Sequence, residues 1–176
     1  QEPTIIINES IEEISLNNSL NLSLENDSGN QTNLILPLAN IGISAYSGNG
    51  SGTLGDPYNL TNCTQLQEME NDLGGNFTLS NNIDCTDTIN WNSGSGFDPV
   101  GASNTIEFEG SLNGQGYNIT NLYISRTTTY NGLFGYADPN TNLTSFNLVN
   151  VSIKGGQYTG ALVGYLQTAT NVDHIN

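Results

Sequence analysis

Apolar and polar residues alternate in short runs along this chain, and in its second half the alternation recurs with a fixed period. Tyr117-Asn118-Ile119-Thr120-Asn121-Leu122-Tyr123-Ile124 is written again 29 residues later as Phe146-Asn147-Leu148-Val149-Asn150-Val151-Ser152-Ile153, and a third copy begins at Ile175-Asn176. A period of this size marks a solenoid, in which each unit buries its apolar face only against the next. Tyr117 and Ile119 point inward, then Leu122 and Ile124, so the alternation slips by one at Thr120-Asn121, and the second copy slips at the matching place. A slip at a fixed position predicts a corner. It places Asn121 and Asn150 on successive turns as a hydrogen-bonded asparagine ladder, with Asn118 and Asn147 facing outward.

Each corner segment is followed by a glycine-bounded apolar group, Gly132-Leu133-Phe134-Gly135 and then Gly160-Ala161-Leu162-Val163-Gly164. The glycines permit tight bends and the apolar residues fill the coil. With about 4.8 Å between neighbouring strands, four or five turns make a rod of about 20 Å.

Ahead of the repeat, Cys63, Leu66, Met69 and Leu73 fall on one face of a helix over roughly residues 63–73. Asn62 and Gln65 form a capping-box pair at its start and Gly74-Gly75 ends it. Such a helix covers the open end of the first turn. Residues 1–45 lack the repeat. Thr4-Ile5-Ile6-Ile7, Leu20-Asn21-Leu22-Ser23-Leu24 and Leu34-Ile35-Leu36 read as short strands, with a turn at Glu25–Asn30, so this region is expected to be an N-terminal β appendage. Ser47-Gly48-Asn49-Gly50-Ser51-Gly52 reads as a flexible boundary, and the expected main domain is residues 46–176. The fold class is all-β, a parallel solenoid with a short capping helix.

Charge narrows the partners. Arg126 and Lys154 are the only fixed cations against seventeen acidic residues, a net charge of −15. A nucleic-acid backbone finds almost nothing to bind, and an anionic membrane surface is disfavoured by the same field. No apolar run approaches the roughly 18 residues of a spanning helix, so no direct membrane insertion is expected. The first residue is Gln1, and no charged segment with an apolar stretch follows it, as expected of a mature exported chain.

Asn-x-Ser/Thr sequons begin at Asn8, Asn17, Asn21, Asn26, Asn30, Asn49, Asn59, Asn62, Asn76, Asn118, Asn142 and Asn150, about twice what this composition gives by chance. We expect several to carry glycans, with Asn118 the more suitable and Asn150 the less, because a ladder amide is already committed. Cys63 and Cys85 are the only cysteines, and a disulfide is expected between them; the rival reading is two buried thiols.

Several motifs resemble those of the GLUG-repeat proteins. They are Gly132-Leu133-Phe134-Gly135, Gly160-Ala161-Leu162-Val163-Gly164, and Phe108-Glu109-Gly110-Ser111-Leu112-Asn113-Gly114-Gln115-Gly116-Tyr117-Asn118-Ile119. The stretch from Gly52-Thr53-Leu54-Gly55-Asp56-Pro57-Tyr58 through Asn82-Ile83-Asp84-Cys85 to Gly96-Phe97-Asp98-Pro99-Val100-Gly101 is similar to what precedes such repeats. The resemblance covers roughly residues 50–176. It implies a right-handed parallel β-helix on secreted or cell-surface, often adhesin-like, proteins of bacteria and archaea, with no shared catalytic residues; the dense sequons fit an archaeal surface glycoprotein.

Parallel β-helices also carry carbohydrate-active enzymes, so catalysis is weighed. A lyase needs a cationic base, and Arg126 with Lys154 on the adjacent turn is the one place for it, with Asp98, Glu107 and Glu109 as nearby acids. Glu12-Glu13 sit in the appendage, Glu68 and Glu70 on the helix's solvent side, and His174 stands alone. Asp84 and Asp87 match no calcium-binding repeat. No catalytic residue, metal site or cofactor is assigned. The expectation is a secreted, glycosylated cell-surface structural or adhesive protein, not an enzyme, with a polysaccharide lyase or glycoside hydrolase as the alternative. The open edge at His174-Ile175-Asn176 and the β-prone residues 4–24 suit self-association into a multimer or filament, and a cell-surface glycan or protein is a further possible target.

Overall fold

The computed structural model describes residues 14–15, 19–25, 31–37, 46–167 and 171–175. The chain divides into two compact units, Gln1–Ala45 and Tyr46–Asn176. In the first, β1 (Ile14–Ser15), β2 (Ser19–Glu25) and β3 (Gln31–Pro37) form an antiparallel sheet in that order, with Leu22 opposite Leu34. The expected strand at residues 4–7 lies outside the described residues.

The second unit is mostly β, and its named strands pair in parallel. One face stacks β4 (Tyr58–Leu60), β5 (Asn76–Leu79), β7 (Ser111–Asn113), β11 (Asn142–Val149) and β14 (Asn171–Ile175). A second stacks β6 (Ile83–Asp84), β8 (Asn118–Thr120) and the latter half of β11. β9 (Tyr123–Ser125) with β12 (Ser152–Lys154), and β10 (Phe134–Ala137) with β13 (Val163–Leu166), make two further pairs. Ile119 faces Leu148, Ile124 faces Ile153 and Phe134 faces Val163, each pair at the spacing seen in the sequence.

Side chains pointing away from solvent on these faces form one core. Leu112, Ile119, Leu122, Ile124, Leu133, Leu143 and Phe146 are buried, and each such side chain contributes roughly 1.5–3 kcal/mol by leaving water. Phe77, Phe108 and Phe134 run through it as a file of rings, with centres 6.2 and 4.6 Å apart.

Four expectations need correcting. Tyr117 lies at the surface, not in the core, while its counterpart Phe146 is buried. The cause is a second corner. Gly114–Tyr117 closes a turn with the Tyr117 N–H donating to the Gly114 carbonyl, and β11 bends at Ser145, where φ is 60°. Phe146 then packs over Gly114, where a Cβ would lie 2.1 Å from its own.

The helix does not run through residue 73. α1 (Cys63–Gln67) tightens into a 3-10 turn over Glu68–Asn71, and Asp72 leaves helical geometry at φ −145°, as short helices often do at the C-terminus. Its cap is half of the expected box. Asn62 Oδ1 accepts from the Gln65 N–H at 2.9 Å, but Gln65 Oε1 reaches one residue further back, to the Thr61 N–H and hydroxyl, each at 2.8 Å.

Residues 47–52 are not a loose linker. Ser47 N–H donates to Glu68 Oε2, Ser51 N–H to the Asp56 carbonyl, and Asn76 N–H to the Gly52 carbonyl, so the segment is hydrogen-bonded into the second unit. Finally, Asn118 and Asn147 do not simply face solvent; they are bonded to each other, as set out next.

Candidate functional site

Three features of the second unit could carry function: its asparagine rows, a cleft beside α1, and a patch of tyrosines. The rows come first because they also carry the sequons. Asn150 Nδ2 donates to Asn121 Oδ1 at 2.6 Å, Asn147 Nδ2 to Asn118 Oδ1 at 2.7 Å, and Asn171 Nδ2 to Asn142 Oδ1 at 2.9 Å, every pair 29 residues apart. Asn121 and Asn150 have φ of 60° and 54°, a left-handed bend that asparagine accepts more readily than other non-glycine residues. Asn121 Nδ2 also donates to Asp84 Oδ1, so the row ends on a carboxylate. The Thr86 hydroxyl foremost, then Asn121, hold the Asp84 carboxyl below its ordinary range.

These bonds sort the described sequons. Asn150 Nδ2 is bound within its ladder, Asn76 Nδ2 donates to the Gly52 carbonyl, and Asn59 Nδ2 to the Pro57 carbonyl. Asn49, Asn62 and Asn142 are exposed and Asn118 half-exposed. Asn21 lies in β2, and Asn8, Asn17, Asn26 and Asn30 fall outside the described residues.

Beside α1, Cys63 and Cys85 form a disulfide with Cα atoms 5.3 Å apart. It joins the first turn of the helix to the end of β6. Next to it, a cleft of about 460 Å³ is lined by Thr64, Gln67, Glu68, Glu70, Trp91, Asn92 and Asp98. The Gln67 amide clasps Asp98 backbone on both sides, donating to its carbonyl at 2.9 Å and accepting from its N–H at 2.8 Å. Burial, and after it the Asp98 carboxylate, pushes the Glu70 carboxyl above its usual value. Glu68 and Glu70 line this cleft, and Glu70 is also exposed, on the solvent side where the sequence placed it.

Arg126 does not present a free base there. Its Nε donates to the Phe97 carbonyl at 3.1 Å, Nη2 to the Gly96 carbonyl at 3.3 Å, and Nη1 lies 3.3 Å from Asp98. The guanidinium ties the 96–98 bend to β9. Lys154 is exposed in β12, paired beside Ser125, and its carbonyl accepts from the Arg126 N–H. Glu107 accepts from Gln167 Nε2 at 2.7 Å and is not among the residues that line the cleft, and Glu109 is exposed. His174 is exposed, with its Nδ1 2.8 Å from Asp173. Asp87 is exposed, and among the described residues no three His, Cys, Asp or Glu side chains converge as a metal site would require. Glu12 and Glu13 lie outside the described residues.

The third feature was not foreseen. Tyr130, Tyr136, Tyr158 and Tyr165 gather on one patch, two from each of two successive repeat units. Tyr136 stacks on Tyr165 with centres 4.8 Å apart and planes 19° apart, and Tyr130 stacks on Tyr158 at 5.4 Å and 9°. Within each unit the rings meet edge to face, Tyr130 with Tyr136 at 5.1 Å and Tyr158 with Tyr165 at 5.3 Å, the arrangement aromatic quadrupoles favour. The one available sequence signal was that Tyr136 and Tyr165 share the 29-residue spacing.

No protein-family profile matches the chain, and no solved structure matches it. It is similar to a protein named Halomucin from Haloquadratum walsbyi, 36% identical over 121 residues, which is 65% of this chain and 1% of that protein. It is also similar to a protein named as a Gly-rich membrane protein from Evansella cellulosilytica, 35% identical over 127 residues, 69% of this chain and 14% of that protein. The chain thus spans only a small part of the length of these curated relatives.

Proposed function

We propose that this chain is an exported, glycosylated cell-surface protein with a structural or adhesive task, that its second unit is a right-handed parallel β-helix of the GLUG-repeat kind, and that it works by self-association. Parallel pairing at a 29-residue spacing in the later strands supports the helix, and the motifs quoted above support the repeat type. The names of the relatives support the surface location: one is described as a membrane protein, while among the described residues no helix is long and apolar enough to cross a membrane.

The observation offered for self-association is the partly exposed apolar row along β13 and β14. Val172 is 39% exposed where Leu143, its partner one coil earlier, is fully buried, and Leu166 is 45% exposed where Ala137 is fully buried. Leu148, Val151, Ile153, Leu162 and Val163 are likewise only partly covered. An apolar layer of this kind gains by accepting another β layer, and strand edges accept strands. The occupant in this reading is a β layer from a second copy or from a downstream segment, which would add its strands to β13 and β14.

The task is read as non-catalytic because, of the two cations the sequence offers as a base, Arg126 is engaged by two backbone carbonyls and Asp98, and Lys154 stands exposed on β12. Light scattering and negative-stain microscopy test the assembly. Two copies that each carry a net charge of −15 repel, so association should strengthen as salt rises. Leu166→Lys with Val172→Lys should abolish it. A protein that stays monomeric at every salt concentration rules self-association out.

A further inference from the structure

We propose that the tyrosine quartet is a site of oxidative coupling, at which a carbon–carbon bond forms between Tyr136 and Tyr165 and staples two successive coils together. This stands on the ring geometry and on the distribution of oxidisable groups, and does not depend on self-association.

The geometry comes from the strand register. Tyr136 on β10 and Tyr165 on β13 are direct partners in a parallel pair, so their backbones are held side by side and their rings stack at 4.8 Å. Tyr165 also touches the other two rings, Tyr158 at 5.3 Å and Tyr130 at 6.1 Å. Tyr130 likewise meets the other three rings, so an oxidising equivalent entering anywhere in the quartet can reach Tyr165. Entry is open, because Tyr158 is 43% and Tyr165 38% exposed, whereas Tyr136 is only 8% exposed.

The rest of the second unit offers an oxidant little else. Surface oxidants are usually consumed by thiols and by accessible methionine. Here both cysteines are in the disulfide, Met69, the only methionine, is fully buried, and Trp91, the only tryptophan, is partly covered beside Phe97. Four of the eight tyrosines of the chain sit in this one patch, where Tyr158 and Tyr165 are exposed; Tyr117 is exposed as well but lies outside the patch. The disulfide itself belongs to an oxidising setting.

The chemistry balances with a peroxide as oxidant. Each of two phenols loses one electron and its hydroxyl proton to give a phenoxyl radical. The radicals join through a carbon ortho to each oxygen, and the two ring hydrogens displaced there move to the oxygens, restoring both phenols. The two electrons and two protons released reduce one hydrogen peroxide to two waters, breaking its O–O bond. The product has lost two hydrogen atoms and gained one covalent tie between coils. That tie lies on the last coil, while the disulfide secures the first.

The experiment treats the full-length chain, at a concentration low enough to keep molecules apart, with a peroxidase and hydrogen peroxide. Expected are dityrosine fluorescence, loss of two hydrogen masses from the intact monomer, and a digest in which the peptide holding Tyr136 is joined to that holding Tyr165. Tyr136→Phe and Tyr165→Phe keep the stacked rings and the fold, checked by circular dichroism, and each should lower the fluorescence at least tenfold. The treated wild type should also unfold at a higher temperature than untreated protein. No coupling, coupling only between molecules, or a greater yield at Tyr46 and Tyr58, whose rings lie 4.5 Å apart, overturns the proposal.

Discussion

The side-chain amide of Asn150 donates to the side-chain carbonyl of Asn121 at 2.6 Å, and both residues have left-handed backbone, with φ of 54° and 60°. One residue type therefore meets two demands at each corner, the bend and the bond between coils. Asn121→Ala should lose roughly 1 kcal/mol for forcing alanine into that bend and about 1 kcal/mol for each side-chain hydrogen bond lost, to Asn150, Asp84 and Thr86. Asn121→Gly keeps the bend and should lose only the second part. Urea unfolding of the three proteins separates the terms; equal losses in both variants would mean that the backbone conformation carries no cost.

Asp84 closes the same row at the other end. It accepts from the Thr86 hydroxyl at 2.6 Å, the Thr86 N–H at 3.0 Å and Asn121 Nδ2 at 2.9 Å, and these bonds hold its carboxyl below the ordinary range. A depressed folded-state value contributes stability that is complete above the unfolded value, about 3.9, and is lost as the pH falls through the folded one. Wild type should therefore melt above Asp84→Asn at neutral pH, and the gap should close in acid below about pH 4. A gap that is the same at all pH values rejects this role for the carboxylate.

The repeat was legible from residue 117 onward because its later units have equal length. Earlier units do not. Asn76 bonds Ser111 across 35 residues and Asn82 bonds Asn118 across 36, because the 3-10 segment Thr86–Gly94 and the loop before Phe108 lengthen that turn. A fixed-period search loses the register there. Tyr117 misled for a related reason: its polarity matches Phe146, but the turn at Gly114 rotates it outward. The tyrosine patch combines spacings of 28 and 29 residues between coils with close contacts within each coil, and no single period displays that. Cys63 and Cys85, as the only two cysteines, could be paired by counting.

The disulfide closes a short loop, with a sequence separation of 22 between Cys63 and Cys85, and should contribute about 3 kcal/mol by restricting the unfolded chain. Its position sets which part responds to reduction. α1 and β6 are joined by it, whereas β11 and β12 lie coils away and keep their own pairing. Hydrogen exchange after reduction should speed up over residues 60–90 before the body of the second unit changes. Uniform loss of protection would show that the coils unfold as one.

Glycan occupancy should follow the hydrogen bonding of each side-chain nitrogen, because the transferase must take that atom. On a folded chain, Asn150 would have to give up its bond to Asn121, and Asn76 its bond to the Gly52 carbonyl. Each loss costs roughly 1 kcal/mol and, at Asn150, breaks a ladder that holds two coils in register. Asn142 and Asn118 accept from the next coil through Oδ1, leaving Nδ2 the free side of the amide; Asn62 caps α1 through Oδ1 in the same way. Asn49 is exposed, and its backbone carbonyl accepts from Asn59. Mass spectrometry of glycopeptides from the native protein should therefore find Asn49, Asn62, Asn118 and Asn142 occupied and Asn76 and Asn150 bare. Equal occupancy at all six would mean that the sugar is added before the coils stack, so that sequon chemistry alone, and not the ladder, decides where it goes.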